Sequence, residues 1–311
     1  MGGTSSEREV SLQSGKNVAD ALASLGKYEV IPVVLDADNL DPLPKDVDAV
    51  YIALHGGWGE SGGVQAALDA LKIPYTGPGA QASRIAMDKV KTKMVLEMNA
   101  VPTAKWGLAN PDTPASPLPL PVVVKPPCDG SSVGISKVST EADWTAARNL
   151  AFSVTQAPKH PNTQTPSPIL VEEFIPGREF TVGVIDGEPL PVIEIVAKGG
   201  WYGYDEKYIS NETKYPFLCD QPPNPQTPKH PNPDSLESEL QVLAVKAYRA
   251  VGCRGVTRVD FRVSPLGHCY VLELNTSPGF TSHSLVPKAG IRTGLTFAEV
   301  CDRILSSAKH D

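Results

Sequence analysis

The chain reads as a mixed α/β and α+β protein of three domains, on three observations. Its 311 residues exceed what a single core usually organises. Its first part alternates helix-like and strand-like segments. Its later parts carry short strands that end in charged residues beside glycine-rich loops. Domains are expected at 1–88, 89–176 and 177–311.

In the first domain Ser6 and Glu9 have capping-box spacing, and Val18, Leu22 and Leu25 make an apolar stripe with Val10 nearly in line. Tyr28–Leu35 and Ala49–Leu54 read as buried parallel strands. The glycine-rich loop from His55 to Gly63 then follows a strand and precedes a helix, where α/β sheets place ligands. In the second domain Met87-Asp-Lys opens a helix with Val90, Met94 and Met98 on one side. The strand Val122–Lys125 runs into a loop with Gly130-Ser131-Ser132-Val133-Gly134, and Ile169–Ile175 forms a further strand. At the C-terminus, Thr296 and Glu299 cap a helix whose Phe297, Val300, Ile304 and Leu305 share a face.

The last domain holds the most informative pattern. Val259, Phe261 and Val263 alternate with Arg258, Asp260 and Arg262, the period of a half-buried strand. Ser264-Pro-Leu-Gly267 reads as a turn, and Tyr270–Leu274 returns as a second strand. A four-residue loop would set 263 opposite 268 and 260 opposite 271, placing Arg258, Asp260, Glu273 and Asn275 on one face. Two carboxylates and an amide are hard oxygen ligands suited to Mg²⁺ on nucleotide phosphates; a solvated hairpin face with an incidental ion pair is the other reading.

Other segments also stay open to two readings. The 130–134 loop is a tight turn or a phosphate cradle, and Lys125 after three valines favours phosphate. It is no Walker A loop, since no Gly-Lys-Ser/Thr follows. Glu172, Glu173 and Glu179 mark a solvated strand end or acceptors for adenine and ribose. Trp201–Tyr208 is an aromatic packing loop or a lid over a reactive intermediate. The proline-rich stretches 156–168 and 221–234 share Pro-Lys-His-Pro-Asn and read as extended surface loops whose histidines suit solvated residues better than metal ligands.

Composition excludes several classes. A net charge of -7 argues against nucleic-acid and anionic-membrane partners, and no apolar run is long enough to span a membrane. The opening Met-Gly-Gly-Thr-Ser-Ser-Glu-Arg has no apolar core for a signal peptide. Five cysteines without a CxxC pair suit reduced thiols in cytoplasm.

Taken in order, several motifs give the chain a resemblance to the D-alanine–D-alanine ligases of the ATP-grasp fold. They are Gly2-Gly-Thr-Ser-Ser-Glu-Arg-Glu-Val-Ser-Leu, Ala53-Leu-His-Gly, Met87-Asp-Lys, Lys125-Pro with Gly-Ser-Ser-Val-Gly, Glu179-Phe-Thr-Val, Glu206-Lys-Tyr and Glu273-Leu-Asn-Thr-Ser-Pro-Gly-Phe-Thr-Ser-His-Ser. The resemblance covers nearly the whole length. It implies ATP held between the central and C-terminal domains, Mg²⁺ (or Mn²⁺), two D-alanine substrates, an acylphosphate intermediate, a homodimer, and a place in peptidoglycan precursor synthesis.

Carried over by position, the resemblance implies that Lys89, Lys125 and Lys207 hold ATP phosphates and that Glu172, Glu173, Ile175 and Glu179 line the nucleotide segment. It implies Asp260, Glu273 and Asn275 as metal ligands, and Arg258 with the Gly279 amide as stabilisers of the acylphosphate and oxyanion. Glu7, linked to Ser131 and Tyr208, would take the first D-alanine's ammonium near His55. Ser284 and Leu285 would take the second D-alanine's carboxylate, and Lys207-Tyr208 favours an amine over D-lactate as second substrate.

Three departures stand out. Only Met1 precedes the Gly-Gly loop where the family has a buried strand, so either the start is assigned too late or the first domain lacks that strand. Arg262 stands at a usually apolar position and either meets the nucleotide or points to solvent. Gly203 replaces an acidic residue in the lid. The alternatives carried forward are another ATP-grasp carboxylate–amine ligase and a nucleotide-binding homologue without turnover.

Overall fold

The computed structural model describes residues 1–130, 133–155, 167–197, 212–222, 229–230 and 232–311. Ser131, Lys207, Tyr208, Gly203 and most of both proline-rich stretches lie outside these residues.

Two antiparallel sheets form the body. The first comprises β1 (Trp106–Ala109), β2 (Val122–Lys125), β3 (Ser136–Val138) and β4 (Ile169–Glu173), in the order β1-β4-β2-β3. Along β2 and β4 the side chains alternate by pleat. Val122, Val124, Ile169 and Val171 pack with Trp144 and Phe152 of α6 (Glu141–Thr155). Val123, Lys125, Leu170 and Glu172 therefore turn to the other face.

The second sheet runs β6-β5-β8-β9, with β7 also on β5: β5 (Arg178–Ile185), β6 (Glu188–Pro189), β7 (Ile193–Ile195), β8 (Val256–Val263) and β9 (Cys269–Asn275). Phe180, Val182, Val259, Phe261 and Val271 pack against Leu236, Leu240, Ala244 and Tyr248 of α7 (Pro233–Val251). Pro233 opens that helix behind the Asn232 cap, whose side chain accepts from Ser235 N–H, and left-handed Gly252 ends it.

The β8–β9 register corrects the sequence expectation. The pairs are Val263↔Cys269, Arg262↔Tyr270 and Phe261↔Val271, then a bulge, then Asp260↔Glu273 and Arg258↔Asn275. The connection is thus one residue longer than expected, and the bulge absorbs a residue on β9. Arg258, Asp260, Glu273 and Asn275 still share a face. Nor is β8 half-buried, since Asp260 and Arg262 are covered on the charged face as well.

Helices α4 (Ala80–Met87) and α5 (Lys89–Met98) place Ala82, Ala86 and Leu96 in the core of the second sheet. On α5 the buried positions are Lys89, Thr92, Lys93 and Leu96, while Met94 and Met98 face solvent. The expected apolar side is therefore the exposed one. The Asp88 carboxylate caps the helix by accepting from Lys91 N–H.

The N-terminal part holds α1 (Arg8–Ser24), α2 (Gly57–Glu60) and α3 (Gly63–Leu71). The Ser6–Glu9 capping box does not form; Glu7 occupies the cap position of α1 without a side-chain cap bond. Residues 28–35 and 49–54 are extended, but they pair only through isolated parallel bridges, Gly2↔Leu35 and Val50↔Tyr75. Tyr28, Ile31 and Val34 are exposed, so the two expected buried strands are not formed as such. Between them Met1–Gly3 supply a stub: Leu35 N–H donates to Met1 O (2.9 Å), and Gly3 N–H donates to Leu35 O (2.8 Å). Beyond that stub lies a cavity of about 530 Å³ lined by Val18, Leu22, Ile31, Val33, Tyr51 and Ala53 among others. After it, α8 (Leu285–Arg292) and α9 (Phe297–Ser306) pack on α1 and β5, and Thr296–Glu299 makes the expected capping box.

Candidate active site

Four backbone segments converge on the charged face of β8 and β9. On β8, Arg258 donates from Nε and Nη2 to the two oxygens of Asp260 (2.9 and 2.8 Å). Thr181 of β5 donates its hydroxyl to Asp260 Oδ1 at 2.6 Å. A bidentate guanidinium grip fixes both groups in one orientation. Glu273 lies directly opposite Asp260, and Asn275 opposite Arg258. The Asn275 side-chain oxygen accepts from Ser277 N–H (3.0 Å), which holds the amide's attitude and starts the loop to Gly279. Asp260, Glu273 and Asn275 thus present oxygen atoms alone, a donor set that fits a hard divalent cation such as Mg²⁺.

The first sheet and α5 face this surface with lysines. Lys89 Nζ donates to Asp129 O at 2.6 Å and stands 3.9 Å from Glu273 Oε2. Lys125 binds one oxygen of Glu172, and Lys93 lies 2.5 Å from the other. All three are buried. Burial would push Glu172 up, but the two lysines outweigh it and take the carboxyl down to about 2. Burial pulls Lys125 down, yet Glu172 outweighs that and leaves it above the usual lysine range. Lys93 stays below that range because burial prevails there. Two lysines thus share the Glu172 carboxylate, and Glu273 and Glu179 act on Lys125 as well. Glu172 was expected at a solvated strand end or at the adenine; its oxygens instead anchor lysines.

Lys93 was missed by the sequence reading. It follows Lys89 by four residues on one helix, so the spacing puts both on the same face. Arg262 does not point to solvent: it donates to Ile175 O (3.1 Å) and Glu179 Oε2 (2.8 Å), with its guanidinium over the Phe174 ring. It therefore braces Ile175 and Glu179, two residues of the expected nucleotide segment. Glu173 closes β4, exposed at the strand end, and its N–H donates to Lys105 O (2.8 Å).

The N-terminal loops reach the same place through a chain of hydrogen bonds. Ser277 Oγ donates to Leu54 O (2.6 Å), and Phe280 N–H donates to Ser14 Oγ (3.1 Å). His55 bridges the two, with Nδ1–H donating to Ser277 O (3.0 Å) and Nε2 accepting from Ser14 Oγ (3.2 Å). The carbonyl can only accept, which assigns the proton to Nδ1. Burial lowers the His55 pKa, so the ring is neutral near pH 7. His55 is a buried brace joining α1, the 54–57 loop and the 275–280 loop.

Glu7 extends over the same loop. Gly56 has φ of 65°, which favours glycine, and a Cβ there would fall 2.7 Å from Glu7 Oε2 and displace that carboxylate. Nearby Glu60, also missed by the sequence reading, has its carboxyl raised to about 8 by burial and by the charge of Glu7, with Arg258 opposing. At neutral pH it is mostly protonated and able to donate a hydrogen bond. Ser284 closes the site on the far side: its Oγ accepts from Thr281 N–H (2.9 Å) and would meet a Cβ on Gly279 at 2.9 Å. Leu285 is buried at the start of α8, whose first amides no side chain caps.

Comparison with known proteins identifies the family. A family model described as D-ala D-ala ligase C-terminus matches residues 94–306. A D-alanine–D-alanine ligase of Syntrophotalea carbinolica is 42% identical over 311 residues, covering 99% of this chain and 94% of the relative. One from Herminiimonas arsenicoxydans is 41% identical over 330 residues, covering 99% and 90%. The crystal structure of D-alanine–D-alanine ligase from Bacillus anthracis superposes with a TM-score of 0.79 at 29% identity, over 99% of this chain and 95% of that one. The same enzyme complexed with ATP gives 0.79 at 28% identity, over 99% and 94%. With a family model matching residues 94–306 and relatives matched along the full chain, this protein belongs to the D-alanine–D-alanine ligase family and has the ATP-grasp fold.

Proposed function

We propose that the chain ligates two D-alanines to D-alanyl-D-alanine at the expense of ATP, through an acylphosphate. The observation that carries this reading is the charged face where Arg258, Asp260, Glu273 and Asn275 meet the lysines of α5 and β2. Lys89 and Lys125 hold the phosphates of ATP, and Asp260, Glu273 and Asn275 hold Mg²⁺, which would shield the phosphate oxygens when bound. Glu173, Ile175 and Glu179 line the nucleotide's base and ribose, with Glu172 fixing Lys125 beneath them.

The first D-alanine sits with its ammonium at Glu7 and its carboxylate toward Arg258. Carboxylate attack on the terminal phosphorus gives the acylphosphate and ADP. The second D-alanine places its carboxylate at Ser284 and the open amides of α8, where helix amides and dipole favour an anion. Its amine attacks the acyl carbon, the Gly279 amide and Arg258 stabilise the oxyanion, and phosphate leaves. No side chain acts as nucleophile; position and fixed charge supply the rate. Ser131, Lys207 and Tyr208, outside the described residues, would complete the ammonium link and the closing lid.

The nucleotide-binding reading without turnover is disfavoured by relatives that match over 99% of the chain. Among the described residues no helix is long and apolar enough to cross a membrane. Cytoplasmic location, a homodimer and a role in peptidoglycan precursor synthesis complete the proposal. It is tested by phosphate release from ATP and Mg²⁺ with D-alanine, L-alanine or D-lactate. Release with D-alanine, together with the dipeptide by mass spectrometry, supports it. Release independent of D-alanine, or faster turnover with D-lactate as second substrate near neutral pH, contradicts it.

A further inference from the structure

A second cluster of ligand-type side chains lies away from this site, at the other end of β9. His230 in the proline-rich stretch, Glu239 on α7 and Cys269 at the start of β9 bring a ring nitrogen, a carboxylate oxygen and a sulfur within 4.8 Å of one another. The expectation of a solvated His230 is wrong: it is 6% exposed, and Cys269 is 3% exposed. Cys269 is four residues from Glu273, or about 13 Å along a strand.

The hydrogen bonds leave the ligand atoms facing inward. His230 Nδ1 lies 3.4 Å from Ser235 Oγ, which donates in turn to Asn232 O (3.0 Å). His230 Nε2 is buried without a hydrogen-bond partner, although Glu239 Oε2 is only 3.2 Å away. The other Glu239 oxygen accepts from Lys229 Nζ at 2.6 Å. Cys269 Sγ makes a long contact, 3.8 Å, to Gly267 O. The three ligand-type groups thus meet around Glu239, which lies 3.2 Å from His230 Nε2 and is hydrogen-bonded by the Cys269 thiol.

We propose that His230, Glu239 and Cys269 form a site for a zinc-like divalent transition-metal ion, completed by water, that ties the proline-rich stretch before α7 to β9. Thiolate, imidazole and carboxylate together select such an ion over Mg²⁺ or Ca²⁺. Bonds of about 2.0–2.3 Å put tetrahedral ligand atoms roughly 3.3–3.8 Å apart; His230 and Glu239 already stand 3.2 Å apart, and no pair in the cluster exceeds 4.8 Å. The Ser235 contact is the outer-shell partner that orients a histidine ligand. Burial and Glu239 push the Cys269 thiol up to about 12. Binding therefore converts thiol and free cation to metal thiolate plus one proton released to solvent.

The test uses the full chain, stripped of metal and kept in saturating Mg²⁺ so that the oxygen ligands of the ligase site are occupied. Zn²⁺ is titrated alone, and Co²⁺ is used as a spectroscopic probe. The proposal predicts one Zn²⁺ bound per chain and a thiolate-to-cobalt charge-transfer band. The band is lost in Cys269→Ser and kept in Cys128→Ser and Cys219→Ser, the two exposed thiols. His230→Ala, a change outside the core clusters, lowers Zn²⁺ affinity by more than the roughly 10–100-fold that losing an outer-shell partner costs, and leaves D-alanine-dependent turnover unchanged. No bound Zn²⁺, unaltered affinity in His230→Ala, or a band that survives in a folded Cys269→Ser would overturn the assignment. The His230 variant decides the matter if Cys269→Ser does not fold.

Discussion

The second sheet and the N-terminal extended segments hold apolar chain in different ways. From Arg178↔Val263 to Ile185↔Val256, β5 and β8 pair at every residue, and β9 continues the ladder on the other side. Residues 28–35 and 49–54 are equally rich in valine, isoleucine and leucine, yet they pair through single bridges around a cavity. The lesson is that a strand-like composition becomes a strand only when its neighbours present free N–H and C=O groups at the right spacing. The ladder can therefore carry buried charges in fixed positions, whereas the N-terminal loops reach the site by hydrogen bonds from Ser14, Ser277 and His55.

The largest expected effect breaks the ordered side of this comparison. Lys93→Met removes one of the two cations on Glu172 and should cost about 3–5 kcal/mol, the usual penalty for breaking a buried pair. Chemical denaturation checks it, and a loss below about 1 kcal/mol would mean that Lys125 alone suffices. The pH dependence has a definite sign. Glu172 is depressed to about 2 in the fold, so its contribution is present above about 4.5 and is lost as pH falls through 2. In the Lys93 variant the folded pKa moves back up, so the window narrows from its acid side and the contribution shrinks.

Filling the N-terminal cavity sharpens the other side. Adding five or six apolar residues ahead of Met1 would extend the parallel stub along Ile31 and Val33, whose neighbour Pro32 has no N–H to lose. The gain should be on the order of 1–3 kcal/mol per buried backbone group newly paired. An unchanged melting temperature and unchanged turnover would show that the stub is sufficient.

A smaller effect concerns Glu60, where the N-terminal part touches the charged face. Its carboxyl is raised to about 8, so its contribution is complete below about 4.5 and declines as pH rises through 8. Glu60→Gln should flatten the stability profile across that window; an identical slope in both proteins would count against a protonated Glu60. The smallest is Thr296→Ala at the α9 capping box, about 1 kcal/mol of stability with turnover unaffected, read from denaturant midpoints.

Much of the site was legible because strand alternation and opposed pairs are short-range rules. They placed Arg258, Asp260, Glu273 and Asn275 on one face even though a bulge shifted the register between them. Partnerships across elements were less legible. Whether Glu172 meets an adenine or a lysine depends on α5, whose methionines suggested the wrong face, and only packing shows that Lys93 is inside. His230 was misjudged for a similar reason: a proline-rich stretch reads as surface until α7 and β9 close over it. Glu60 stands in the glycine-rich loop, but its raised pKa arises first from burial and then from Glu7, with Arg258 opposing, and packing between remote segments sets all of these.

The central claim is a division of labour in which the two sheets and α5 bind ATP while the N-terminal loops bind only the first D-alanine. The most direct measurement is the ATP dissociation constant, with Mg²⁺ and without D-alanine, in Glu7→Gln beside Lys125→Met. The account predicts that Glu7→Gln binds ATP as the unaltered protein does while its KM for the first D-alanine rises, and that Lys125→Met loses ATP affinity. An equal loss of ATP affinity in both variants would contradict it.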